Sequence, residues 1–275
     1  MSIADLPPLR ESLAAEGLLA KKSFGQHFLL DLNITRKIAR LAGDLAGAAV
    51  LEVGPGPGGL TRALLEAGAH VVAVEKDARF LPLLQELAEA APGRLTLVEA
   101  DALTIDAQAV IAAHAPGRPA YFVSNLPYNV GTPLLTGWLT GPRFWAGMAL
   151  MFQKEVAQRI VATTGDDAYG RLAVLTQALA LPELVMNLPA RAFTPPPKVD
   201  SAVVVLKPRP GAPEPALVSK LERVTAAAFG QRRKMLRSSL KPLGGEALAL
   251  LAGLDPEQRA ETVDVDGFLR LAAAL

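Results

Sequence analysis

The residues richest in chemistry are Asn125-Leu126-Pro127-Tyr128. A side-chain amide can accept a hydrogen bond from an amino group. A phenol ring three residues on can stack against a flat base. Together they point to chemistry on an exocyclic amine. A second group is the loop Glu52-Val53-Gly54-Pro55-Gly56-Pro57-Gly58-Gly59. Glycines let backbone approach a ligand closely, and a helix starting behind such a turn offers free N–H groups. Glu75 lies about 20 residues further on, where a carboxylate can accept from both hydroxyls of a ribose. Asp101 could accept from an adenine amino group, or could instead cap the next helix.

These residues need elements to hold them. Tyr121-Phe122-Val123-Ser124 reads as a buried strand, so the tetrapeptide falls at a strand's carboxyl end, where open α/β sheets bind ligands. Strands at 49–53, 70–75, 95–98 and 121–124 alternate with helices at about 33–41, 60–67, 78–89 and 107–113. That rhythm predicts α/β architecture with a parallel, doubly wound sheet. A strand at 145–152, a helix at 155–161 and closing strands at 184–186 and 202–206 follow. Residues 1–20 read as an arm with a short helix, and 21–29 as an irregular basic, aromatic stretch. Lys21 and Lys22 there suit either RNA contact or a solvated turn. Between Pro208 and Pro215 stand four prolines in eight residues, which favours an extended linker. Helices at 217–230, 232–240, 246–252 and 267–274 then suggest a small helical domain. The predicted division is 1–207, a linker at 208–216, and 217–275.

Composition bounds the function. The 275 residues are 51% hydrophobic, enough for a large core. No apolar run reaches the ~18 residues that span a bilayer, and the first residues do not read as a secretory signal. With no cysteine and three scattered histidines, neither a disulfide framework nor a metal site is expected. A cytoplasmic protein without a membrane partner is the expectation. The net charge is +1, but it is segregated. From Arg191 to Lys241 eleven Lys/Arg face three acids, a local +8 that leaves −7 for the rest. Such a patch suits a polyanion, or equally a solvated basic surface.

The glycine loop alone leaves its cofactor open. Gly54, Gly56 and Gly59 satisfy the dinucleotide pattern G-x-G-x-x-G. Glu52 with Gly54, Gly56 and Gly58 equally resembles the S-adenosylmethionine loop of Rossmann-like methyltransferases. The tetrapeptide carries a more specific resemblance. It resembles the Asn/Asp-Pro-Pro-Tyr motif of amino-group methyltransferases, and in its Asn-Leu-Pro-Tyr-Asn form that of the ribosomal RNA adenine dimethyltransferases. Gln26-His27-Phe28-Leu29 resembles that family's N-terminal cofactor motif. Phe193-Thr194-Pro195-Pro196-Pro197-Lys198-Val199-Asp200-Ser201 resembles its Phe-x-Pro-x-Pro-x-Val-x-Ser motif. Ala228 to Arg237 resembles its C-terminal basic helix. The resemblance spans residues from about 20 to 270.

It implies a Rossmann-like S-adenosylmethionine-dependent methyltransferase fold with a small C-terminal α-helical domain. His27, Leu29, Gly54, Gly56, Glu75, Asp101 and Asn125 would bind S-adenosyl-L-methionine. Asn125, Leu126, Pro127 and Tyr128 would form the catalytic pocket, with Phe193 covering the second face of the base. Arg232, Arg233, Lys234, Arg237 and Lys241 would grip RNA from a helix. The implied reaction is N6,N6-dimethylation of two adjacent adenosines near the 3′ end of small-subunit rRNA. The implied substrate is an immature small ribosomal subunit and the working form a monomer. Two other readings stay open: a resistance-type methyltransferase of large-subunit rRNA, and a non-catalytic ribosome-assembly or transcription-factor relative.

Overall fold

The structure, a computed structural model, describes residues 2–18 and 27–275. Lys21, Lys22 and Gln26 lie outside the described residues. In chain order, the strands are β1 (Phe28–Leu29), β2 (Ala49–Val53), β3 (His70–Glu75), β4 (Leu95–Glu99), β5 (Ala120–Asn125), β6 (Trp145–Gln153), β7 (Ala180–Leu188), β8 (Phe193–Thr194) and β9 (Ser201–Pro208). The helices are α1 (Leu9–Ala15), α2 (Leu32–Leu41), α3 (Gly59–Glu66), α4 (Leu81–Ala90), α5 (Ala107–His114), α6 (Gly131–Thr140), α7 (Lys154–Val161), α8 (Arg171–Leu179), α9 (Pro215–Gly230), α10 (Leu236–Ser239), α11 (Gly245–Leu251) and α12 (Val265–Ala274).

Seven strands form one sheet in the order β4-β3-β2-β5-β6-β9-β7. β2 pairs in parallel with β3 and β5, β3 with β4, and β5 with β6, whereas β9 runs antiparallel to β6. All five residues of β2 are buried, as a strand covered on both faces must be. The order reverses between β2 and β5. That places the glycine loop after β2 and the tetrapeptide after β5 on either side of a topological switch point, the usual ligand crevice.

The chain divides into two compact units. The first comprises Met1–Leu134, Phe144–Ala157 and Leu184–Leu206. The second comprises Leu135–Arg143, Gln158–Glu183 and Lys207–Leu275. The second thus also takes in 135–143 and 158–183, segments placed in the first domain on sequence grounds. Its core is aromatic. Phe229 stacks on Phe268 with centroids 5.3 Å apart, and the fully buried Tyr169 donates its hydroxyl to the Val263 carbonyl at 2.9 Å.

Helix α9 ends at Gly230, and residues 231–234 form a turn, with Met235 bridging Arg259, rather than the predicted basic helix. Tertiary bonds explain it. The Leu236 N–H donates to the Gln258 carbonyl and the Arg237 N–H to the Pro256 carbonyl. Backbone donors spent on a distant segment cannot propagate the helix. Only Leu236–Ser239 is helical in the span 232–240.

Candidate functional site

A cavity of about 680 Å³ opens at the switch point, entirely within the first unit. It is lined by His27, Phe28 and Leu29, by Glu52 and the Gly54–Leu60 region, by Glu75 to Phe80, and by Asn125 to Asn129. Four stretches far apart in sequence meet here because they are fitted to one another. A Cβ on Gly59 would stand 2.5 Å from the Leu29 carbonyl oxygen, so only glycine lets β1 lie against the start of α3. One on Gly56 would stand 3.2 Å from the Phe28 ring, and Gly56 has φ +53, a conformation that side chains disfavour. The Ser124 hydroxyl accepts from the Val53 N–H at 2.9 Å, fastening the ends of β5 and β2.

Backbone atoms hold the functional side chains. The Asn125 Nδ2 donates to the His27 carbonyl at 3.3 Å. Its donor is thus directed at the protein, and the amide oxygen is left as the acceptor for a ligand. The Glu75 carboxylate accepts from the Gly56 N–H at 3.0 Å and the Asp77 N–H at 2.8 Å. Its burial still holds its pKa above the ordinary carboxylate value, although these N–H groups oppose the shift. Glu52 is 1% exposed, and its Oε2 has no hydrogen-bond partner. Burial pushes its pKa up to about 8, with the Glu75 carboxylate adding to the effect. The Thr61 hydroxyl is near enough to oppose the shift but makes no hydrogen bond of ordinary geometry. A carboxyl buried this deeply without a full set of partners resists ionisation.

Tyr128 shares a 2.7 Å hydrogen bond with Ser201 Oγ, and its ring lies 5.8 Å from that of His27 at 29°. The His27 Nδ1–H donates to the Pro195 carbonyl at 2.8 Å. Thus the structure brings His27, Leu29, Gly54, Gly56, Glu75, Asn125, Leu126, Pro127 and Tyr128 together around one cavity.

Other expected residues fall elsewhere. Phe193 is 2% exposed, sits in the apolar core and pairs with Leu29 across the β1–β8 ladder. It is not part of the cavity lining. Its ring packs in the core beside β1 rather than at the cavity wall. Asp101 likewise lies outside the lining and is ion-paired to Lys76, which does line the cavity, at 2.8 Å. That pair, followed by the Leu103 N–H, holds its pKa below the usual carboxylate range. Asp101 does not cap α5 either, since Asp106 accepts from the Ala109 N–H there. Of the basic set, Arg232 bonds Glu261 at 3.1 Å and the Asp167 carbonyl at 2.6 Å, and Arg237 pairs with Glu257 at 3.2 Å. Arg233, Lys234 and Lys241 form no ion pair of this kind among the described residues.

Glu52, Phe28, Phe80 and Lys76 complete the cavity beyond the predicted set. Glu52 carried a signal as the acid before the glycine loop. Lys76 and Phe80 carried none, because only the fold of the segment after β3 brings them to the cavity.

The sequence profile of the ribosomal RNA adenine dimethylases matches residues 17–275. The chain belongs to this family. Among members of the dimethylase family, it is 69% identical to a ribosomal RNA small subunit methyltransferase A from Phenylobacterium zucineum, over 100% of this chain and 94% of that one. It is 68% identical to its namesake in Caulobacter vibrioides, over 93% and 97%. Among solved structures, the 23S rRNA methyltransferase ErmE is similar with a TM-score of 0.69 at 30% identity, over 90% of this chain and 99% of that one. A dimethyladenosine transferase from Plasmodium falciparum shares the fold with a TM-score of 0.73 at 24% identity, over 89% and 96%. No helix among the described residues is long and apolar enough to cross a membrane. The same residues contain no cluster of three or more His, Cys, Asp or Glu suited to a metal.

Proposed function

We propose that this chain dimethylates the N6 amino groups of two adjacent adenosines near the 3′ end of small-subunit rRNA, with S-adenosylmethionine as methyl donor. The observation that carries this reading is Asn125. One N–H of its amide bonds the His27 carbonyl, which orients the group and leaves its oxygen to take an N–H from the adenine amine. The adenine N6 lone pair is delocalised into the ring and attacks poorly. Accepting its hydrogens at Asn125 Oδ1 and the Leu126 carbonyl favours a pyramidal nitrogen with the lone pair exposed. No strong base is needed, because the nitrogen becomes acidic as the N–C bond forms. In-line positioning is then the main contribution. The base must leave its stack to reach the pocket, and Tyr128 offers it a ring.

The residues fit the donor. S-adenosylmethionine supplies a methyl group activated on a sulfonium centre. Glu75, fixed by two backbone donors, would hold the ribose hydroxyls. Gly54 and Gly56 let the backbone close on the cofactor, and His27 and Leu29 wall one side. Asp101 would reach the adenine by releasing Lys76.

RNA would be gripped by Arg233, Lys234 and Lys241, with Arg237 joining by exchanging its surface ion pair for a phosphate. Identity near 69% to small-subunit enzymes, against 30% to a large-subunit one, weighs for the small subunit as target. We infer further that the protein acts in the cytoplasm as a monomer on an immature small subunit.

The test is transfer of labelled methyl groups to small subunits lacking the modification, with large subunits in parallel and modified nucleotides mapped by mass spectrometry. Paired dimethyladenosines in the small subunit are the expected result. Label only in the large subunit would favour the resistance-type reading, and no label in either would overturn the enzymatic one.

A further inference from the structure

Two side chains outside the glycine loop converge on Tyr128. Ser201 holds its hydroxyl at 2.7 Å, and the His27 ring covers one face at 5.8 Å and 29°. Tyr128 sits in the turn after β5, where its own backbone gives the ring little support. Its anchors are firmer. Ser201 is 0% exposed and begins β9, where antiparallel pairing with β6 sets it opposite Gln153. His27 is fastened twice, through its ring to Pro195 and through its carbonyl to Asn125.

A tyrosine ring free to turn would offer a base its edge as often as its face. Fixing the ring before the base arrives removes that search from the reaction itself. Alignment of the target amine with the methyl donor then draws on a ring already in place.

We infer that Ser201 is a positioning residue that, with His27, locks the Tyr128 ring so that the face turned away from His27 receives the target adenine. This rests on the methyltransferase reading above. It gives the last residue of the Phe-x-Pro-x-Pro-x-Val-x-Ser motif a task without substrate contact. The arrangement also links the amine acceptor to the stacking plate, since His27 touches both Asn125 and Tyr128.

The test uses the full-length protein on undermethylated small subunits. Ser201→Ala and Tyr128→Phe each delete one end of the hydrogen bond, and the double variant deletes both. Each single change should lower kcat about 3- to 10-fold, the range of one ordinary hydrogen bond. KM for subunits should hold, as should the calorimetric Kd for S-adenosylhomocysteine. The double variant should be no slower than the slower single one, because Ser201 acts only through the hydroxyl already removed. Parental kcat in Ser201→Ala, or losses that multiply in the double variant, would overturn the inference. If Ser201→Ala fails to fold by thermal melting, Tyr128→Phe decides alone, and parental kcat there overturns it. An inactive parent protein would instead overturn the substrate reading, so the two failures are distinguishable.

Discussion

Around the cavity, backbone atoms hold the Glu75 and Asn125 side chains. Glu75 is fixed by the N–H groups of Gly56 and Asp77, and Asn125 by the carbonyl of His27. On the surface of the helical unit, Arg232 and Arg237 are each paired with a carboxylate side chain. Arg237 pairs with Glu257 at the surface, where the two side chains are 48% and 64% exposed. Groups held by backbone have one geometry whether or not a ligand is present, which is what directed chemistry needs. Exposed ion pairs contribute little and are screened by salt, so their cations are free to trade a carboxylate for a phosphate. Substitutions in the first region should therefore act steeply and on rate. In the second they should act gently and on affinity.

Asn125→Ala puts the comparison to its hardest test. Removing one preorganised hydrogen-bonding group typically costs about 10²–10³-fold in kcat. Methyl transfer should fall by at least that factor, while salt-dependent binding to small subunits stays near the parent value. A fall confined to binding would mean that the cavity, too, works by grip.

Glu52 gives the next largest effect and carries a sign. Its pKa in the folded protein is raised to about 8 from 4.5, so the folded state keeps a proton that the unfolded chain releases. Stability contributed by the protonated form is complete below about pH 4.5 and drains away as pH rises toward 8. Glu52→Gln, which resembles the protonated acid, should match the parent in urea unfolding near pH 5. At pH 8 it should exceed the parent by a few kcal/mol. Parallel stability curves would mean that the carboxyl is ionised throughout.

Gly59→Ala probes the fit between elements. The added methyl would meet the Leu29 carbonyl oxygen at 2.5 Å, and that atom belongs to backbone and cannot swing aside. Overpacking of this kind costs about 1–3 kcal/mol. Urea unfolding should show that loss, and calorimetry a weaker Kd for S-adenosylhomocysteine, because the shift displaces a cavity wall. An unchanged Kd would detach β1 from the cofactor site.

The same contrast decides what could be read from sequence. Strands β2 and β3 fall where the apolar runs Ala49–Val53 and His70–Glu75 put them. Their patterns are local, and the glycine loop between β2 and α3 announces itself. The β1–β8 ladder escaped detection because it is two residues long and joins Leu29 to Phe193, a pairing no local pattern encodes. That one contact also moves Phe193 from the pocket into the core. Helix α6 was missed because Gly131, Pro133 and Gly137 lower its helix propensity, though proline is tolerated in a first turn. The turn at 231–234 escaped for the opposite reason. Gln231-Arg232-Arg233-Lys234 favours a helix intrinsically, and bonds to Gln258 and Pro256 override it.

The smallest effects come from sorting the basic residues, which charge counting treated alike. Arg233 and Lys234 form no ion pair of the kind made by their neighbours among the described residues, whereas Arg232 ties Glu261 to the Asp167 carbonyl. Arg233→Ala with Lys234→Ala should flatten the salt dependence of subunit binding by a slope of about 1–2. Melting should be unaffected. Arg232→Ala should do the reverse, keeping most of the slope and losing about 1 kcal/mol or less of stability, since its guanidinium is half-exposed. The Glu261 carboxylate would be left without its cation, so the local field would become less attractive to phosphate without any contact being lost. Equal effects of the two changes on the salt slope would return Arg232 to the RNA-binding set. They would also show that ion pairs in this unit yield to phosphate as readily as free cations take it.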